Sequence, residues 1–466
     1  MSRKQQLLKR HRRNKRIALL VSLLVLVAAG VLVAWWLPLI LAVLLWVAHE
    51  AWFADHLFYS PKDDYQYTFA AGTQQAGLRL EAGRLVPDVP LGLVGDETLV
   101  VEVQLESSWL GRFLDPAVEL SGDRQAFERG VSGKRFINLT GSAQALAAGE
   151  LGLRGRYCRV VGQPTLWVFR HPDYARQRVM VIAPHADDAE LAAFGLYSQA
   201  DESWIVTLTA GEIEAEHYQQ MGLAKADAAR LKGRLRAWDS IAVPRWAGVP
   251  EAQCVQLGYF CLQLPAMRAT PDQPQASREA QLDDTRLFRQ FNAFALPGDV
   301  DGAPTWTNLI ADLRAVLLKA RPEVIVLPTP VLDPHPDHIC AHAAVIDALQ
   351  GLEWQPTTLL GYANHLHDND RWPMGDAGAG VALPPQFDAT QILEPYCRVV
   401  SLGHQQDKAM ALGMMHDLQP RAPFKRRLRR LLQQVLAGRD PSPYGENEFF
   451  RKAVRRHELL WVLKQD

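Results

Sequence analysis

The sequence is poor in cysteine and nearly free of net charge, and each shortage excludes a class of function. Its five cysteines are odd in number and none forms a CxxC pair, so we predict neither a disulfide framework nor a cysteine-based zinc site. A formal net charge of -1 gives no general attraction to nucleic acid, and we expect no nucleic-acid partner. A hydrophobic content of 48% predicts a folded chain rather than extensive disorder.

Residues 1–60 contain a long uncharged run. Basic residues from Arg3 to Arg16 precede an apolar segment that extends from Ile17 to about Ala48. This segment is too long for the core of a signal peptide and has no evident small-residue cleavage site. We therefore predict an uncleaved anchor in a bacterial inner membrane, with the basic N-terminus in the cytoplasm.

The topology of the anchor has two solutions. One long tilted helix would place the rest of the chain outside the cytoplasm. A hairpin broken at Trp36-Leu37-Pro38, with a second arm that extends through Trp52 and Phe53, would return the chain to the cytoplasm. The basic residues alone do not choose between these solutions, so attachment is predicted and the side of the catalytic domain stays open.

Two segments with different patterns follow the anchor. Residues 61–174 contain short strand-like runs, such as Val101–Leu105, between glycine and aspartate turns, which predicts a small β-sandwich-like accessory domain. Residues 175–424 contain buried strand candidates, such as Arg178–Ala183 and Trp204–Thr209, that alternate with helical stretches. This alternation predicts a Rossmann-like α/β fold, with a mostly parallel sheet and helices on both faces.

Residues 425–466 are predicted to form a basic, helical C-terminal tail. The run from Lys425 to Arg430 begins an amphipathic helix that continues to about Leu436. Its basic face fits a solvated surface. Beside a membrane anchor it fits anionic lipid or a phosphate-bearing substrate nearly as well.

Two polar segments that follow strand candidates carry the candidate chemistry. Pro184-His185-Ala186-Asp187-Asp188 comes directly after the first strand, and Asp333-Pro334-His335-Pro336-Asp337-His338 follows Glu323–Leu327. Ligands bind beyond the carboxyl ends of such strands, and imidazole together with carboxylate suits zinc. Either segment alone is a common turn, as we interpret His171-Pro172-Asp173, but the two together predict a metal site. One of two adjacent aspartates can bind the metal while the other takes a proton from the attacking water.

With these motifs the sequence resembles the PIG-L (LmbE-like) deacetylase family over roughly residues 178–450. The matching elements are Pro-His-x-Asp-Asp followed by Leu191 and Gly195, the later His-x-Asp-His, and the segment Thr209–Glu212, which matches the family's Thr-x-Gly-Glu. A weaker Lys…His-x-x-Gln pattern is matched by Lys408, His416 and Gln419.

The resemblance implies hydrolysis of the N-acetyl group of an amino sugar, with Zn²⁺ as cofactor and Fe²⁺ or Co²⁺ as alternatives. The implied metal ligands are two histidines and one aspartate, namely His185, Asp188 and His338. Asp187 is similar to the general base of the family. His335 is similar to the histidine that stabilises the oxyanion as an imidazolium, with Asp337 orienting and charging it.

Other polar residues fit the family less closely. The helix after Thr-x-Gly-Glu often carries Arg-x-x-Glu in the family. Residues 224–244 hold arginines but no glutamate, namely Arg230, Arg234 and Arg236, so the substrate contacts there stay open. We expect His342 to pack or to contact a metal ligand, and His365 and His367 have no assigned role.

Three functions are compatible with these patterns. The leading one is a membrane-anchored zinc de-N-acetylase that acts on a glycolipid or a cell-surface polysaccharide, with lipopolysaccharide core as one candidate. The second is a zinc amidase for a small soluble sugar conjugate, which would not need the anchor. The third is a non-catalytic glycan-binding protein. The complete set of predicted metal ligands counts against this third function. The expected partners are an N-acetylated amino-sugar glycoconjugate and membrane lipid, and the sequence does not indicate an oligomeric state.

Overall fold

The computed structural model describes residues 3–55 and 57–464, with side chains from residue 8 onward. The basic side chains of Arg3 and Lys4 therefore lie outside the described residues. Over these ranges the chain has a mixed α/β fold built on an eight-stranded and a seven-stranded sheet, which confirms the predicted α/β class.

The N-terminal segment forms two helices joined by a short turn. They are α1 (Arg3–Leu32) and α2 (Leu37–Ala48), and a π-helical turn, His49–Phe53, extends the second helix. The part of α1 from Leu8 to Leu32 is long and apolar enough to cross a membrane, by length and composition. Helix α2 begins next to Pro38, where the ring is tolerated in the first helical turn, so the break falls at residues 33–36, just before the Leu37-Pro38 pair of the hairpin solution.

The eight-stranded sheet is antiparallel throughout. Its strands are β1 (Gln74–Glu81), β2 (Arg84–Pro87), β3 (Thr98–Ser107), β4 (Ala117–Leu120), β5 (Asp123–Ala126), β6 (Ser132–Asn138), β7 (Leu151–Arg156) and β8 (Cys158–Phe169), with helix α3 (Ala143–Ala147) between β6 and β7. The spatial order of the strands is β5-β4-β7-β2-β1-β8-β3-β6. They bury one apolar core that includes Leu78, Val101 and Leu166.

The predicted β-sandwich of two sheets is corrected to this single sheet. The reason is β7, whose first residues pair with β2 and whose later residues pair with β4. Hydrogen bonding therefore continues from one half of the strands to the other, and no gap separates two layers among the described strands.

The seven-stranded sheet lies in the C-terminal part of the chain. Its strands are β9 (Arg178–Ala183), β10 (Glu202–Thr209), β11 (Cys254–Tyr259), β12 (Val324–Pro328), β13 (Thr358–Tyr362), β14 (Glu394–Val399) and β15 (His457–Leu463). The helices around it are α4 (Asp188–Tyr197), α5 (Glu216–Gln219), α6 (Lys225–Ala242), α7 (Leu264–Ala269), α8 (Arg286–Arg289), α9 (Trp306–Ala320), α10 (Pro336–Leu349), α11 (Leu402–Met414), α12 (Phe424–Ala437) and α13 (Glu448–Ala453).

The order β11-β10-β9-β12-β13-β15-β14 is parallel over its first five strands, whereas β15 is antiparallel to both of its neighbours. Alternate residues of β9 face opposite layers. Val179 and Val181 pack with α4 and α11, while Met180 and Ile182 pack with α9 and α10. Helices thus cover both faces of the sheet, and the carboxyl ends of the parallel strands meet at one edge.

The predicted helical tail is also corrected. Helix α12 ends at Ala437, and the chain then returns to the main sheet, where β15 lies between β13 and β14. The physical reason is the strand His457–Leu463, whose first five residues are buried. Burial of its apolar side chains in the sheet favours a strand there, while the basic segment before it keeps its helix.

The two sheets pack against each other through an apolar cluster. Val100 and Phe136 of the antiparallel sheet belong to it, together with Leu459 and Trp461 of β15. The ring of Tyr67 stacks on that of Trp461, with 5.9 Å between their centroids. The eight-stranded sheet is therefore joined to the main sheet by side-chain packing on the strand that the helical prediction missed.

Candidate metal centre

The loop after β9 turns sharply at the sheet edge and leads into α4. Its position is fixed by Thr209 at the end of β10, whose backbone N–H and hydroxyl donate to Pro184 O at 3.0 and 2.8 Å. Asp188 begins α4, and its Oδ2 accepts from the backbone N–H of His185 at 2.9 Å. This local turn points His185 and Asp188 into the same space.

The second polar segment enters that space from the other side of β9. It follows β12, the parallel neighbour of β9, and Pro336 and Asp337 form the first turn of α10. Proline is well suited to this position because its ring fixes the backbone angle that a helix needs there. His338 is thereby brought to the first polar segment.

The three residues that the resemblance implies as metal ligands do converge. Asp188 Oδ2 lies 3.1 Å from His185 Nδ1 and 3.2 Å from His338 Nε2. One ligand atom from each residue lies within 4.8 Å of the others. Tetrahedral zinc with nitrogen and oxygen ligands at about 2.0–2.2 Å requires such ligand separations.

The chemistry of these atoms also fits a metal ion. His338 is fully buried, and its Nε2 atom makes no well-oriented hydrogen bond among the described residues, although Asp188 Oδ2 lies 3.2 Å from it. Burial disfavours its charged ring, but the carboxylates of Asp188 and Asp333 raise the pKa of His338 to about 9. The pocket thus attracts positive charge, and a bound ion would replace the protons. Two imidazoles with one carboxylate suit zinc and related transition ions better than magnesium or calcium.

Two residues without an assigned role hold these ligands in place. Asp333 Oδ2 lies 2.9 Å from His338 Nδ1 and also accepts from the backbone N–H of Asn364 at 3.0 Å. Asn364 Nδ2 donates to Asp188 Oδ1 at 2.7 Å. A carboxylate on the far nitrogen of a ligating histidine fixes its ring orientation and increases its basicity. Asp333 stands in the second motif and could have been assigned this role from the sequence, whereas Asn364 carries no signal.

Asp187 lies beside the three converging residues but is held by a different partner. Arg236 of α6 is buried, and its Nη2 donates to Asp187 Oδ1 at 3.0 Å. A second Arg236 nitrogen pairs with Asp417. One of the arginines noted on this helix therefore reaches the site, where it holds the Asp187 carboxylate in an ion pair.

The segment Thr209–Glu212 makes room for that arginine. Gly211 has a φ of +61°, and a Cβ atom there would lie 2.4 Å from Arg236 Nε. A larger residue would therefore displace Arg236. Glu212 is fully buried, where it accepts from Ser277 Oγ and from the backbone N–H of Cys261, and burial raises the pKa of its carboxyl.

Asp337 is placed differently from the expectation. Its Oδ2 lies 3.2 Å from His185 Nε2 and accepts from the backbone N–H of Leu262 at 2.8 Å, and it has no hydrogen bond to His335. Burial, together with the neighbouring histidines, lowers the pKa of His335 to about 4. Asp337 thus orients His185 rather than His335, and the neutral form of His335 is favoured over the expected imidazolium.

Two further residues border the site. His365 follows β13, and its ring centroid lies 5.2 Å from that of His335. Cys261 follows β11, and its buried sulfur lies 3.6 Å from His185 Nε2. Both positions come just after parallel strands, so the rule that located the two motifs also reaches them. A single histidine or cysteine in a loop is too common to single out from sequence.

The weaker family pattern does not reach the site. Lys408 is buried in an ion pair with Glu458, at 2.8 Å. His416 Nδ1 lies 2.6 Å from Asp239, and Gln419 donates to backbone carbonyls of Gly413 and Met415. These contacts join helices and strands of the main domain.

His342, one turn of α10 beyond His338, is also directed elsewhere. Its Nδ1 lies 2.9 Å from Pro328 O. This contact agrees with the packing role expected from the sequence.

Comparison with known proteins identifies the region that contains this site. Residues 180–349 match the family model described as PIG-L: GlcNAc-PI de-N-acetylase, which confirms the resemblance. This match supports a de-N-acetylase. Among curated proteins, no sequence matches the chain significantly.

Solved structures give weaker similarities. The zinc-inhibited form of teicoplanin deacetylase Orf2 is 17% identical, with 62% of this chain and 99% of that chain covered at a TM-score of 0.32. The hydratase GalB of Pseudomonas putida KT2440, which acts on 4-carboxy-2-hydroxymuconate, is 14% identical, with 56% and 84% covered and a TM-score of 0.32. Similarity at this level does not assign a function.

Proposed function

Because residues 180–349 belong to the PIG-L family, we propose that this chain is a zinc-dependent de-N-acetylase of an amino-sugar glycoconjugate. The observation that supports zinc is the convergence of His185, Asp188 and His338, with the buried His338 Nε2 atom 3.2 Å from the Asp188 carboxylate. A divalent ion held there would polarise the amide carbonyl and make water more acidic. Fe²⁺ or Co²⁺ would satisfy the same ligand set.

The protein side chains would supply the proton transfers. Asp187, oriented by its ion pair with Arg236, takes a proton from the attacking water as the new C–O bond forms. The carbonyl oxygen becomes an oxyanion, and a ring N–H of neutral His335 donates to it. The C–N bond then breaks, the proton passes from Asp187 to the leaving nitrogen, and acetate and a free amine result. Asp337 acts in this scheme through His185, whose ring it orients.

The substrate is proposed to lie at or near a membrane. The support for this location is the apolar helix Leu8–Leu32 together with the basic face of α12. A phosphate-rich glycolipid, such as lipopolysaccharide core, would be attracted by that face. In this proposal residues 1–60 are the anchor, residues 61–174 are an accessory domain, and the hydrolase comprises residues 175–424 together with β15.

The test is acetate release from membrane glycolipids by the purified, zinc-loaded protein. We expect acetate and one new amine per event, and we expect His185→Ala to lose both this activity and its zinc. His404→Ala is the matched control, because His404 lies outside the site and contacts Ser401. Equal rates for wild type and His185→Ala would reject the proposal, as would a zinc-loaded wild type that releases no acetate from any N-acetylated amino sugar.

A further inference from the structure

The two N-terminal helices form a hairpin, so the end of the second helix lies near the start of the first. The ring of His11, early in α1, contacts the ring of Phe58, with 6.1 Å between their centroids, although α1, a turn, α2 and the π-helical turn lie between them. Helix α2 with the π-helical turn spans Leu37–Phe53, about 25 Å at 1.5 Å per residue. The segment is thus a hairpin whose two ends lie together, and at its tip Val33 and Trp35 are exposed.

Helix α12 is fixed to the base of this hairpin. Arg429 pairs with buried Glu50 in the π-helical turn, and Gln433 Nε2 donates to Glu50 O at 3.2 Å. Just beyond the helix, Arg439 Nη2 donates to Asp55 Oδ2 at 2.7 Å. The orientation of α12 relative to the hairpin is therefore determined by ion pairs.

The opposite side of α12 is apolar and uncovered. Phe424, Leu431 and Val435 are 78, 55 and 72% exposed. They lie at positions i, i+7 and i+11, which share one face of a helix. Basic residues border this face on the same helix, among them the exposed Lys425 and Arg427.

A loop of the antiparallel sheet adds a second uncovered apolar group at the same place. Trp109, which follows β3, is 70% exposed, and its ring lies 5.5 Å from that of Phe113. Phe113 in turn contacts Trp52 of the π-helical turn, with 5.8 Å between centroids. This loop is also tied to the hairpin base, because Arg439 bonds Asp115 as well as Asp55.

We propose that the hairpin enters and leaves the bilayer on one face, and that α12 and the Trp109 loop lie in the anionic surface of that same face. The bilayer is the occupant because the exposed apolar groups surround the base of an apolar hairpin and are bordered by positive charge. A helix with one apolar and one basic face lies in the plane of such an interface. Because the N-terminal basic residues and the catalytic domain then share one side, positive-inside orientation places the catalytic domain in the cytoplasm. This inference goes beyond the proposed deacetylation and does not depend on it.

The depth of each element can be measured with single cysteine labels in the full-length protein. All five native cysteines are buried, so a fluorescent label reports the introduced site. We expect labels at Trp35→Cys, Trp109→Cys and Leu431→Cys to be quenched by lipids with brominated acyl chains and protected from iodide in water. Val94→Cys is the matched control, because it precedes β3, whose ten residues place it about 30 Å from the Trp109 end.

Two results would overturn the surface assignment. Labels at Trp109 and Leu431 that behave like the label at Val94 would exclude contact with the bilayer. Equal quenching at Leu431 in anionic and purely zwitterionic vesicles would exclude an anionic surface as the partner.

Sidedness is measured separately with a membrane-impermeant maleimide on oriented inner-membrane vesicles from a bacterial host. We expect Asn14→Cys, near the start of α1, and Val94→Cys to react in inside-out vesicles and to be protected in right-side-out vesicles. Reaction of the two sites from opposite sides would mean a single crossing and would overturn the hairpin. None of these readouts uses catalysis, so a failed deacetylase assay leaves them intact.

Discussion

Arg135 in the antiparallel sheet and His338 in the main domain are both fully buried and both paired with carboxylates. The two side chains differ in whether all of their polar atoms have hydrogen-bond partners. All five N–H groups of Arg135 have partners, which are Glu128 and the backbone carbonyls of Pro61, Asp63 and Lys134. His338 Nε2, by contrast, makes no well-oriented hydrogen bond among the described residues, and the carboxylate 3.2 Å from it belongs to Asp188, a proposed ligand of the same ion.

The site of His338 contains further such atoms. His335 Nδ1, Asp337 Oδ1 and Arg236 Nε also lack hydrogen-bond partners within the described part of the chain. An unpartnered buried polar atom is unfavourable unless something else binds it. A satisfied network therefore indicates structure, and a cluster of unsatisfied atoms indicates a place where an ion, water or substrate binds.

The largest expected effect comes from removing the imidazole of His338. We expect His338→Gln to lose bound zinc and deacetylase activity to the background level. Wild type should gain about 4 kcal/mol of stability from zinc at 1,000 times its Kd, because the ion binds the folded state, and the variant should gain none. Thermal unfolding with and without zinc, together with elemental analysis, measures both.

His342→Gln is the control for this change, since His342 lies one turn further on α10 and contacts Pro328 O. It should keep the zinc and the activity. Wild-type zinc content in His338→Gln would remove the basis of the comparison.

Replacing the proposed base should separate chemistry from metal binding. We expect Asp187→Asn to lower kcat on the order of 10²–10⁴-fold, because a neutral amide cannot take the proton, while the zinc content is kept. Steady-state kinetics and metal analysis on the same preparation test this. Asp417→Asn, which removes the other carboxylate on Arg236, should cost much less activity, and a larger loss there would contradict the role of Asp187.

A substitution in the hydrogen-bonded network around Arg135 should instead change the stability of the fold. We expect Glu128→Gln to lower the free energy of unfolding by about 3–5 kcal/mol, because it leaves the charge of Arg135 buried without its partner, and to leave zinc affinity unchanged. Denaturation in detergent micelles and a zinc titration measure the two effects. Glu106→Gln, at an exposed pair with Arg159, should cost no more than about 1 kcal/mol. Loss of zinc in Glu128→Gln would show that the two regions are coupled.

The smallest expected effect concerns a residue that orients a ligand. We expect Asp333→Asn to weaken zinc binding by about 10–100-fold, because His338 loses the carboxylate that fixes its ring. A competition titration against a chromophoric chelator gives the ratio. Asp347→Asn, on α10 but in contact with Trp306, should match wild type. Unchanged affinity in Asp333→Asn would mean that helix α10 alone places His338.

The sequence predicted the part of the site that is local. His185, Asp187 and Asp188 lie on one turn, and His335, Asp337 and His338 lie on another, so short motifs at strand ends were enough to find them. Asp333 lies in the second motif but was given no role. Arg236, Asn364 and His365 come from separate elements, and only the fold brings them to the same place. The geometry of Asp337 also escaped prediction, because its partner depends on where β11 places Leu262.

The fold likewise has parts that the sequence predicted and parts that it did not. Three of the five parallel strands, β9, β10 and β12, were recognised because each is a continuous apolar run before a polar loop, whereas β11 and β13 were not predicted. The single antiparallel sheet was predicted as two sheets. The pairing of β7 with both β2 and β4 depends on the tertiary structure and leaves no local pattern in the sequence. Strand β15 was absorbed into a helical tail, because the charge of α12 dominated the composition of that segment.

Strand β15 has a consequence for biosynthesis. It is made after the other strands of its sheet, yet it lies between β13 and β14, and Glu458 within it accepts from the backbone N–H groups of Gly195 and Leu196 in α4. A ribosome-bound chain that lacks this strand has a gap in the sheet and an unsupported helix behind the first polar loop. We therefore expect newly made chains to acquire their metal only after β15 has emerged from the ribosome.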